Sequence, residues 1–239
     1  MALRIDREKC TLCGRCIEVC PFSALEKKED RIEVSAACTL CGACVKECPE
    51  QAISIEETAP VAGMDVSRYR GIWFFAEQRH GKLIPAALEL LTAALQMKET
   101  LGEEVCGVLF GSQVDRLAED LISRGCEKVY LVDDPALADF HDEAYTCILS
   151  HLITRYRPSI VLASATMVGR AFLPSVACRL GTGLTADCTG VAIDPETRLL
   201  VQTRPTFGGN LMARIICKHH RPQMATVRPK MFDPAPVCP

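Results

Sequence analysis

The stretch CTLCGRCIEVCP at residues 10–21 decides the fold of the first part of the chain. It recurs as CTLCGACVKECP at residues 38–49. Each copy spaces four cysteines as C-x2-C-x2-C-x3-C and ends in proline, at a period of 28 residues. In this spacing three thiolates of one run surround a 4Fe–4S cluster, while the fourth cysteine ligates the cluster of the other run. The sequence therefore predicts two 4Fe–4S clusters.

We predict a crossed set of ligands for these clusters. Cluster one takes Cys10, Cys13, Cys16 and Cys48, and cluster two takes Cys38, Cys41, Cys44 and Cys20. Zinc would need only four ligands per site, in C-x2-C pairs, so two full runs of four cysteines followed by proline favour iron–sulfur clusters over zinc. A disulfide framework would require a secreted protein, and the charged residues soon after Met1 argue against a secretory leader.

Residues 1–58 resemble the bacterial two-cluster ferredoxins, which implies a small α+β domain. The formal net charge of −3 comes from these residues, which hold 8 basic and 11 acidic side chains. An acidic surface of this kind suits a basic redox partner and argues against binding to nucleic acid. No run of roughly 18 apolar residues occurs, so we expect no membrane span.

The rest of the chain alternates between strand and helix patterns after a linker predicted at residues 59–67. Predicted strands lie at residues 71–76, 105–110, 128–132 and 159–163, and predicted helices at 83–98, 113–123, 138–156 and 170–180. This alternation indicates an α/β fold with a parallel, doubly wound, Rossmann-like sheet. Four short strands, predicted at 191–193, 199–202, 213–217 and 225–227, indicate an antiparallel extension of that sheet.

Three blocks in this second part resemble the alpha subunit of electron-transferring flavoproteins. They are GLTADCT at residues 183–189, TRPTFGGN at 203–210 and HRPQMATVRP at 220–229. The segment SATMVGR at residues 164–170 resembles the strand-to-helix turn that precedes them. The resemblance assigns residues 68–228 to the N-terminal domain of such a subunit, with the ferredoxin domain fused in front.

This resemblance implies an electron-transfer subunit in the cytoplasm. Its implied partners are a flavoprotein beta subunit that binds FAD, ferredoxin, and a flavin-dependent dehydrogenase of the acyl-CoA or 2-hydroxy-acid type. Such complexes bifurcate electrons from NADH, and we expect no bond-making chemistry on this chain alone. The Pro-rich residues 229–239 are predicted to be a hinge toward a C-terminal FAD domain that the sequence does not contain.

The resemblance and the local chemistry together suggest four residues that contact a flavin or the partner. Arg204, Phe207 and Asn210 flank two glycines, and they fit either a flavin or interface contact or a plain hairpin. Arg170 follows Gly169 at a predicted helix start, where it either binds a phosphate or is a relic of a nucleotide-binding ancestor. Residues 197–232 contain seven Lys and Arg but no acidic residue, so they form either a solvated face or one that meets an anion.

Other chemistry-bearing residues receive structural interpretations. Asp187 and Cys188 are predicted to lie in a polar break, and His219 and His220 in a surface turn. Most of the seven cysteines outside the two runs are expected to be small buried side chains in a reducing cytosol. Two alternative functions remain: an iron–sulfur redox sensor, and a nucleotide-dependent enzyme that carries an iron–sulfur module.

Overall fold

The computed structural model describes residues 2–35, 37–56, 64–206, 209 and 211–238. The chain divides into two compact units, Met1–Gly63 and Met64–Pro239, here called the first and second units. Residues 59–63 of the predicted linker lie outside the described residues. A 3-10 turn at Val66–Arg68 opens the described part of the second unit, and the Asp65 side chain caps it by accepting from the Ser67 N–H.

The first unit consists of short elements around the two cysteine runs. They are β1 (Ala2–Ile5), α1 (Arg15–Glu18), β2 (Leu25–Lys27), β3 (Ile32–Val34), α2 (Ala43–Glu47) and β4 (Ile53–Glu56). Strands β1 and β4 pair antiparallel, and β2 pairs antiparallel with β3. Each helix follows one glycine of a cysteine run, so the cysteine spacing sets where each helix begins.

The second unit opens with three strands, a long helix and a further strand–helix–strand segment. These elements are β5 (Ile72–Phe75), β6 (Gln78–Arg79), β7 (Lys82–Leu83), α3 (Pro85–Leu101), β8 (Val105–Gly111), α4 (Asp115–Ser123) and β9 (Lys128–Asp133). The later elements are α5 (Asp142–Tyr156), β10 (Ile160–Ser164), α6 (Met167–Leu180), β11 (Leu184–Cys188), β12 (Gly190–Ile193), β13 (Leu200–Thr206), β14 (Leu211–Ile215) and β15 (Gln223–Val227).

Six strands of the second unit form one parallel sheet in the order β11-β15-β10-β5-β8-β9. The chain winds from β5 through β8 to β9 and then crosses to β10, so the strand order reverses between β5 and β10. This reversal is the topological switch point of a doubly wound sheet. Strands β12, β13 and β14 form a separate antiparallel sheet, so the predicted fold class is confirmed.

Both faces of the parallel sheet are covered, because alternate side chains of each strand enter different cores. Ile72 and Phe74 pack against α3 residues on one face, whereas Trp73 and Phe75 pack against α5 and α6 residues on the other. The four side chains of β5 are therefore all buried. A continuous apolar run is typical of a strand that lies inside a parallel sheet.

One strand prediction was wrong in this region, and one strand was not predicted. The segment predicted at residues 225–227 as part of the antiparallel extension is β15, which pairs parallel with both β10 and β11. All five β15 side chains are buried, as a central strand requires, and a short apolar run does not reveal its pairing partner. The polar break predicted at Asp187 and Cys188 is the end of β11, where the register shifts between Thr185 and Cys188.

The expectation that most of the seven further cysteines are buried was also wrong. Cys106, Cys126 and Cys188 are buried, Cys217 is half-buried, and Cys147, Cys178 and Cys238 are exposed. Cys147 and Cys178 lie on the helices α5 and α6, whose exposed faces do not contact the sheet. Among the helices that the structure describes, none is long and apolar enough to cross a membrane.

Candidate functional site

The first unit contains two cavities that are each lined by four cysteines. One is lined by Cys10, Cys13, Cys16 and Cys48. The other is lined by Cys20, Cys38, Cys41 and Cys44. Each cavity thus combines three cysteines of one run with the fourth of the other, which is the grouping that the crossed ligand set requires. Their empty volumes, about 360 and 320 Å³, are nearly equal, as expected for a repeated structure.

The backbone around the two cavities repeats with the same period of 28 residues. Three pairs of residues adopt positive φ angles: Leu12 and Leu40 (56° and 57°), Gly14 and Gly42 (84° and 78°), and Ser23 and Gln51 (48° and 50°). No atom lies within 4 Å of a Cβ placed on Gly14, so its backbone angle rather than a lack of space accounts for glycine there. The repeated angles turn the chain around each cavity in the same way.

In each run, one backbone N–H group donates a hydrogen bond to the sulfur of the fourth cysteine. Ala24 donates to the Cys20 Sγ and Ala52 donates to the Cys48 Sγ, both at 3.3 Å. Hydrogen bonds of this kind stabilise negative charge on a sulfur and orient it as a metal ligand. Because both donors are buried, at 1% and 3% exposure, water does not compete for these sulfurs from that side.

Cys16 and Cys44 occupy equivalent places in the two runs, and both are buried. Burial raises the pKa of each thiol, and the neighbouring cysteines add to the increase. A thiol in this environment ionises when a nearby positive metal stabilises the thiolate. Four cysteine sulfurs, one of which accepts a backbone hydrogen bond, form a ligand set that fits a 4Fe–4S cluster. No three His, Cys, Asp or Glu side chains of the described residues converge on a single-ion site.

Arg170 in the second unit is paired with a carboxylate. Its Nη2 lies 2.7 Å from the Asp187 Oδ1, and its Nε donates to the Ala165 carbonyl at 2.9 Å. Helix α6 begins at Met167, three residues earlier than predicted, because the Thr166 side chain caps it by accepting from the Gly169 N–H. Arg170 is therefore the fourth residue of the helix, and it reaches back across the first turn.

Asp187 also binds a second arginine from the other side. Its Oδ2 lies 2.7 Å from the Arg228 Nη2, and its N–H donates to the Thr226 Oγ1. The Arg228 hydrogen bond, with smaller contributions from Arg170 and Arg204, holds the pKa of Asp187 below its ordinary value. We call Arg170, Arg204, Arg228 and Asp187 the Asp187 cluster. It carries three positive charges and one negative charge at the carboxyl ends of β11 and β15.

Arg204 lies on β13 opposite Ala213 of β14. Its Nε is buried and has no hydrogen-bond partner among the residues that the structure describes. Burial raises the pKa of Cys188 to about 11, and the charge of Arg204 opposes that increase, which places the two residues near each other. Phe207 and Asn210, the other two predicted contacts, lie outside the described residues.

The switch point of the sheet is occupied by a buried carboxylate that the sequence did not reveal. Glu77, at 1% exposure, follows β5 and accepts a hydrogen bond from the Thr166 Oγ1 at the end of β10. Arg79 donates to the same carboxylate at 2.9 and 3.2 Å. The Glu77–Arg79 ion pair, with side chains 2% and 53% exposed, therefore occupies the crevice at the switch point.

Comparison with known families gives two matches that divide the chain in the same way. The electron transfer flavoprotein domain matches residues 72–238, and the 4Fe-4S dicluster domain matches residues 2–49. The first match thus covers most of the second unit, including its sheet and the Asp187 cluster, and the second match covers the cysteine cavities of the first unit. The chain belongs to the electron transfer flavoprotein family and has an N-terminal 4Fe–4S dicluster domain, as the resemblance implied.

Three relatives show how far the similarity extends. The electron transfer flavoprotein subunit alpha of Clostridium acetobutylicum is 47% identical over 174 residues, which cover 73% of this chain and 52% of the relative. The lactate dehydrogenase (NAD(+),ferredoxin) subunit LctC of Acetobacterium woodii is 41% identical over 215 residues, which cover 90% and 51%. The acryloyl-CoA reductase electron transfer subunit beta of Anaerotignum propionicum is 37% identical over 193 residues, which cover 72% and 53%. The chain spans about half the length of these curated relatives.

Proposed function

We propose that the chain is the electron-transfer subunit of a cytoplasmic flavoprotein heterodimer. It relays electrons between the FAD of its partner subunits, ferredoxin and a flavin-dependent dehydrogenase, in flavin-based electron bifurcation with NADH. When bound, the two 4Fe–4S clusters supply one-electron carriers. The observation that supports the proposal most is the pair of four-cysteine cavities in a chain whose second unit belongs to the electron transfer flavoprotein family.

The similarity to LctC supports the proposal that both units serve one electron-transfer subunit. The match covers 90% of this chain and therefore extends into the first unit, whereas the match to the Clostridium alpha subunit covers 73%. The printed name of LctC includes lactate, NAD+ and ferredoxin. The name of the Anaerotignum relative includes acryloyl-CoA. We therefore propose a dehydrogenase partner that acts on either a 2-hydroxy acid or an acyl-CoA.

The proposed contact with the beta subunit and its FAD is the face formed by the Asp187 cluster and β14. Arg204 supports it because a buried N–H without a partner is costly, and an anionic ligand or a partner carbonyl would satisfy it. Strand β14 supports it because Leu211 and Met212 are 59% and 54% exposed on an edge strand. Exposed apolar side chains on an unpaired strand edge are typical of a protein interface. Phe207 and Asn210 remain candidates for this contact on the basis of sequence alone.

In this arrangement the chain's own residues perform two tasks. The cysteines and the Ala24 and Ala52 N–H groups hold the clusters and stabilise negative charge on their sulfurs. Asp187 keeps Arg170 and Arg228 in fixed positions, so the excess positive charge of the cluster is available to an anion at little reorganisation cost. All 15 cysteines are free, which suits the reducing cytoplasm.

The experiment is anaerobic reconstitution of the chain with a flavoprotein beta subunit. The complex is then assayed for FAD content and for reduction of ferredoxin by NADH in the presence of the dehydrogenase substrate. We expect Arg204→Ala to weaken assembly or FAD retention by roughly 1–3 kcal/mol, because it removes a charge-assisted contact. Arg116→Ala, at an exposed position on α4, is the control and should change neither.

Two outcomes would contradict the proposal. If no beta subunit forms a complex with the chain while the isolated chain responds to redox state, the redox sensor is the better description. If assembly and FAD retention are the same in Arg204→Ala and Arg116→Ala, Arg204 is not part of the contact. Loss of both properties in Arg204→Ala alone would support the proposed face.

A further inference from the structure

A second kind of cavity lies in the second unit, at the amino ends of the parallel strands. It has an empty volume of about 590 Å³ and is reached from the segments before β5, β8 and β10 and from the start of β15. Arg70, Arg198 and Arg221 line it, and we call it the arginine cavity. The Asp187 cluster lies at the carboxyl ends of the strands, so the two basic features lie at opposite ends of the strands in the same sheet.

The charges in this cavity are not balanced by the protein. Glu103 is the acidic residue in the lining, and its Oε2 accepts from the Gly71 N–H at 2.7 Å and from the Ser159 Oγ at 2.5 Å. Among the described residues, no carboxylate forms an ion pair with any of the three arginines, although Arg68 nearby pairs with Asp65 at 3.0 Å. The lining therefore carries a formal charge of about +2.

Backbone carbonyls hold two of these guanidinium groups in place. Arg198 donates to the Leu101 and Thr100 carbonyls at the end of α3, at 2.6 and 3.3 Å. Arg221 donates to the Cys217 and His220 carbonyls at 3.1 and 2.9 Å. Carbonyl partners fix the direction of a guanidinium but leave its positive charge without a carboxylate partner. Arg198 is exposed and Arg221 is half-buried, so both can meet an anion that enters the cavity.

Hydroxyl groups complete the lining beside the arginines. Ser67, Tyr69 and Thr197 also line the cavity. The Ser67 hydroxyl already donates to the Asp65 Oδ1 at 2.5 Å, so Tyr69 and Thr197 carry the hydroxyls that can donate to a ligand. Arginine with Ser, Thr and Tyr hydroxyls is the donor set that proteins use for phosphate oxygens, because a guanidinium binds two oxygens at once and hydroxyls adjust to the rest.

We propose that the arginine cavity binds a phosphoryl group, either as free phosphate or as a phosphate monoester. Arg70, Arg198 and Arg221 provide positive charge, and the Tyr69 and Thr197 hydroxyls donate to the remaining oxygens of the phosphoryl group. This inference is independent of the electron-transfer function, because it uses residues at the other end of the strands. A negative result here leaves that proposed function intact.

The test is anaerobic titration calorimetry on the full chain at constant ionic strength. Inorganic phosphate and glycerol 3-phosphate are the two probes, and chloride at matched ionic strength is the blank. Arg70→Gln is the variant of choice, because Arg70 is exposed and its side chain bonds to the adjacent Tyr69 carbonyl, so its loss should not affect folding. Arg68→Gln is the matched control, since Arg68 is two residues away and does not line the cavity.

We expect Arg70→Gln to weaken binding of the bound probe roughly tenfold or more, with no change for Arg68→Gln. Tighter binding of glycerol 3-phosphate than of phosphate would assign the site to an ester, and equal binding would assign it to the free ion. Absence of heat from both probes at concentrations up to about 10 mM would overturn the proposal. Equal weakening in both variants would also overturn it, because that result indicates general attraction to a basic surface.

Discussion

In the first unit the buried core consists of Cys16, Leu25, Ile32, Cys44 and Ile53, and two of these five side chains are predicted cluster ligands. The second unit has cores of 22 and 16 buried residues on the two faces of its sheet. A unit of about 60 residues is only marginally stabilised by its apolar core, and small natural domains often add a structural metal or disulfides. The comparison leads us to expect that bound clusters stabilise the first unit, whereas apolar packing stabilises the second.

The largest effect that follows from this difference is on the chain prepared without iron. We expect the first unit to lose amide protection in β1 and β4 by about 100-fold or more, because ligand binding and folding are coupled there. The β5 and β10 amides should keep their protection, since both strands are fully buried in the sheet. Hydrogen exchange with mass spectrometry measures both regions in one sample. Unchanged protection of β1 and β4 without iron would contradict the metal-dependent fold.

The next largest effect is on the iron content of cysteine variants, which shows which cysteines ligate the same cluster. If the ligands cross, the double variant Cys20→Ala with Cys41→Ala damages one cavity, and about four irons per chain remain. The double variant Cys20→Ala with Cys13→Ala damages both cavities and should leave almost no iron. Iron and sulfide analysis gives the answer, with the exposed Cys147→Ala as a control that should keep about eight irons. The reverse result for the two double variants would show uncrossed ligands.

How much could be predicted from sequence differs between the units for the same physical reason. The cavity cysteines lie in two short runs, so their spacing alone predicted which of them come together. The Asp187 cluster joins residues from α6, β11, β13 and the end of β15. Its contacts depend on β15 inserting between β10 and β11, and the local pattern of residues 225–227 did not indicate that insertion.

Glu77 is a second example of a contact that spacing cannot reveal. Its partner Thr166 is 89 residues further along the chain, and only the parallel pairing of β5 with β10 brings the two together. A charged residue that follows directly on an apolar strand could have signalled a buried carboxylate. From sequence alone, a buried carboxylate at Glu77 cannot be told from an exposed one, because the β6–β7 hairpin that follows also contains charged residues.

Packing in the second unit predicts a smaller effect, at the first turn of α6. A Cβ placed on Gly169 would lie 2.0 Å from the Ser164 carbonyl oxygen, a contact with backbone that cannot move aside. Alanine is favoured over glycine in a helix by about 1 kcal/mol, but overpacking of this kind costs more. We expect Gly169→Ala to lower the free energy of unfolding by about 2 kcal/mol or more, with the iron content unchanged.

The matched control for this variant is Gly183→Ala, where no atom lies within 4 Å of the added Cβ. That variant should change the free energy of unfolding by less than about 0.5 kcal/mol. Urea unfolding can be followed through Trp73, the single tryptophan of the chain, which is buried in the second unit. Equal stability of the two variants would mean that α6 can shift away from β10 without cost.

The smallest effect concerns the Asp187 cluster and depends on pH. Arg228, followed by Arg170, holds the pKa of Asp187 below its ordinary value, so ionised Asp187 stabilises the folded state. This stabilisation is complete above the unfolded pKa of about 3.9 and is lost as the pH falls through the lower folded pKa. Because Arg170 and Arg228 are 58% and 43% exposed, solvent screening limits the effect. We expect Asp187→Asn to cost about 1 kcal/mol at pH 7.

The measurement is urea unfolding of the wild type and Asp187→Asn between about pH 7 and pH 3. The difference in unfolding free energy should stay constant down to about pH 5 and then shrink toward zero, because the wild-type carboxylate becomes protonated like the amide. Glu196→Gln, at an exposed carboxylate, serves as the control and should show little difference at any pH. If the difference in unfolding free energy between the wild type and Asp187→Asn does not shrink at low pH, the Asp187 side chain acts through packing or through its hydrogen-bond geometry. In that case the charge on Asp187 would not be what positions the two arginines.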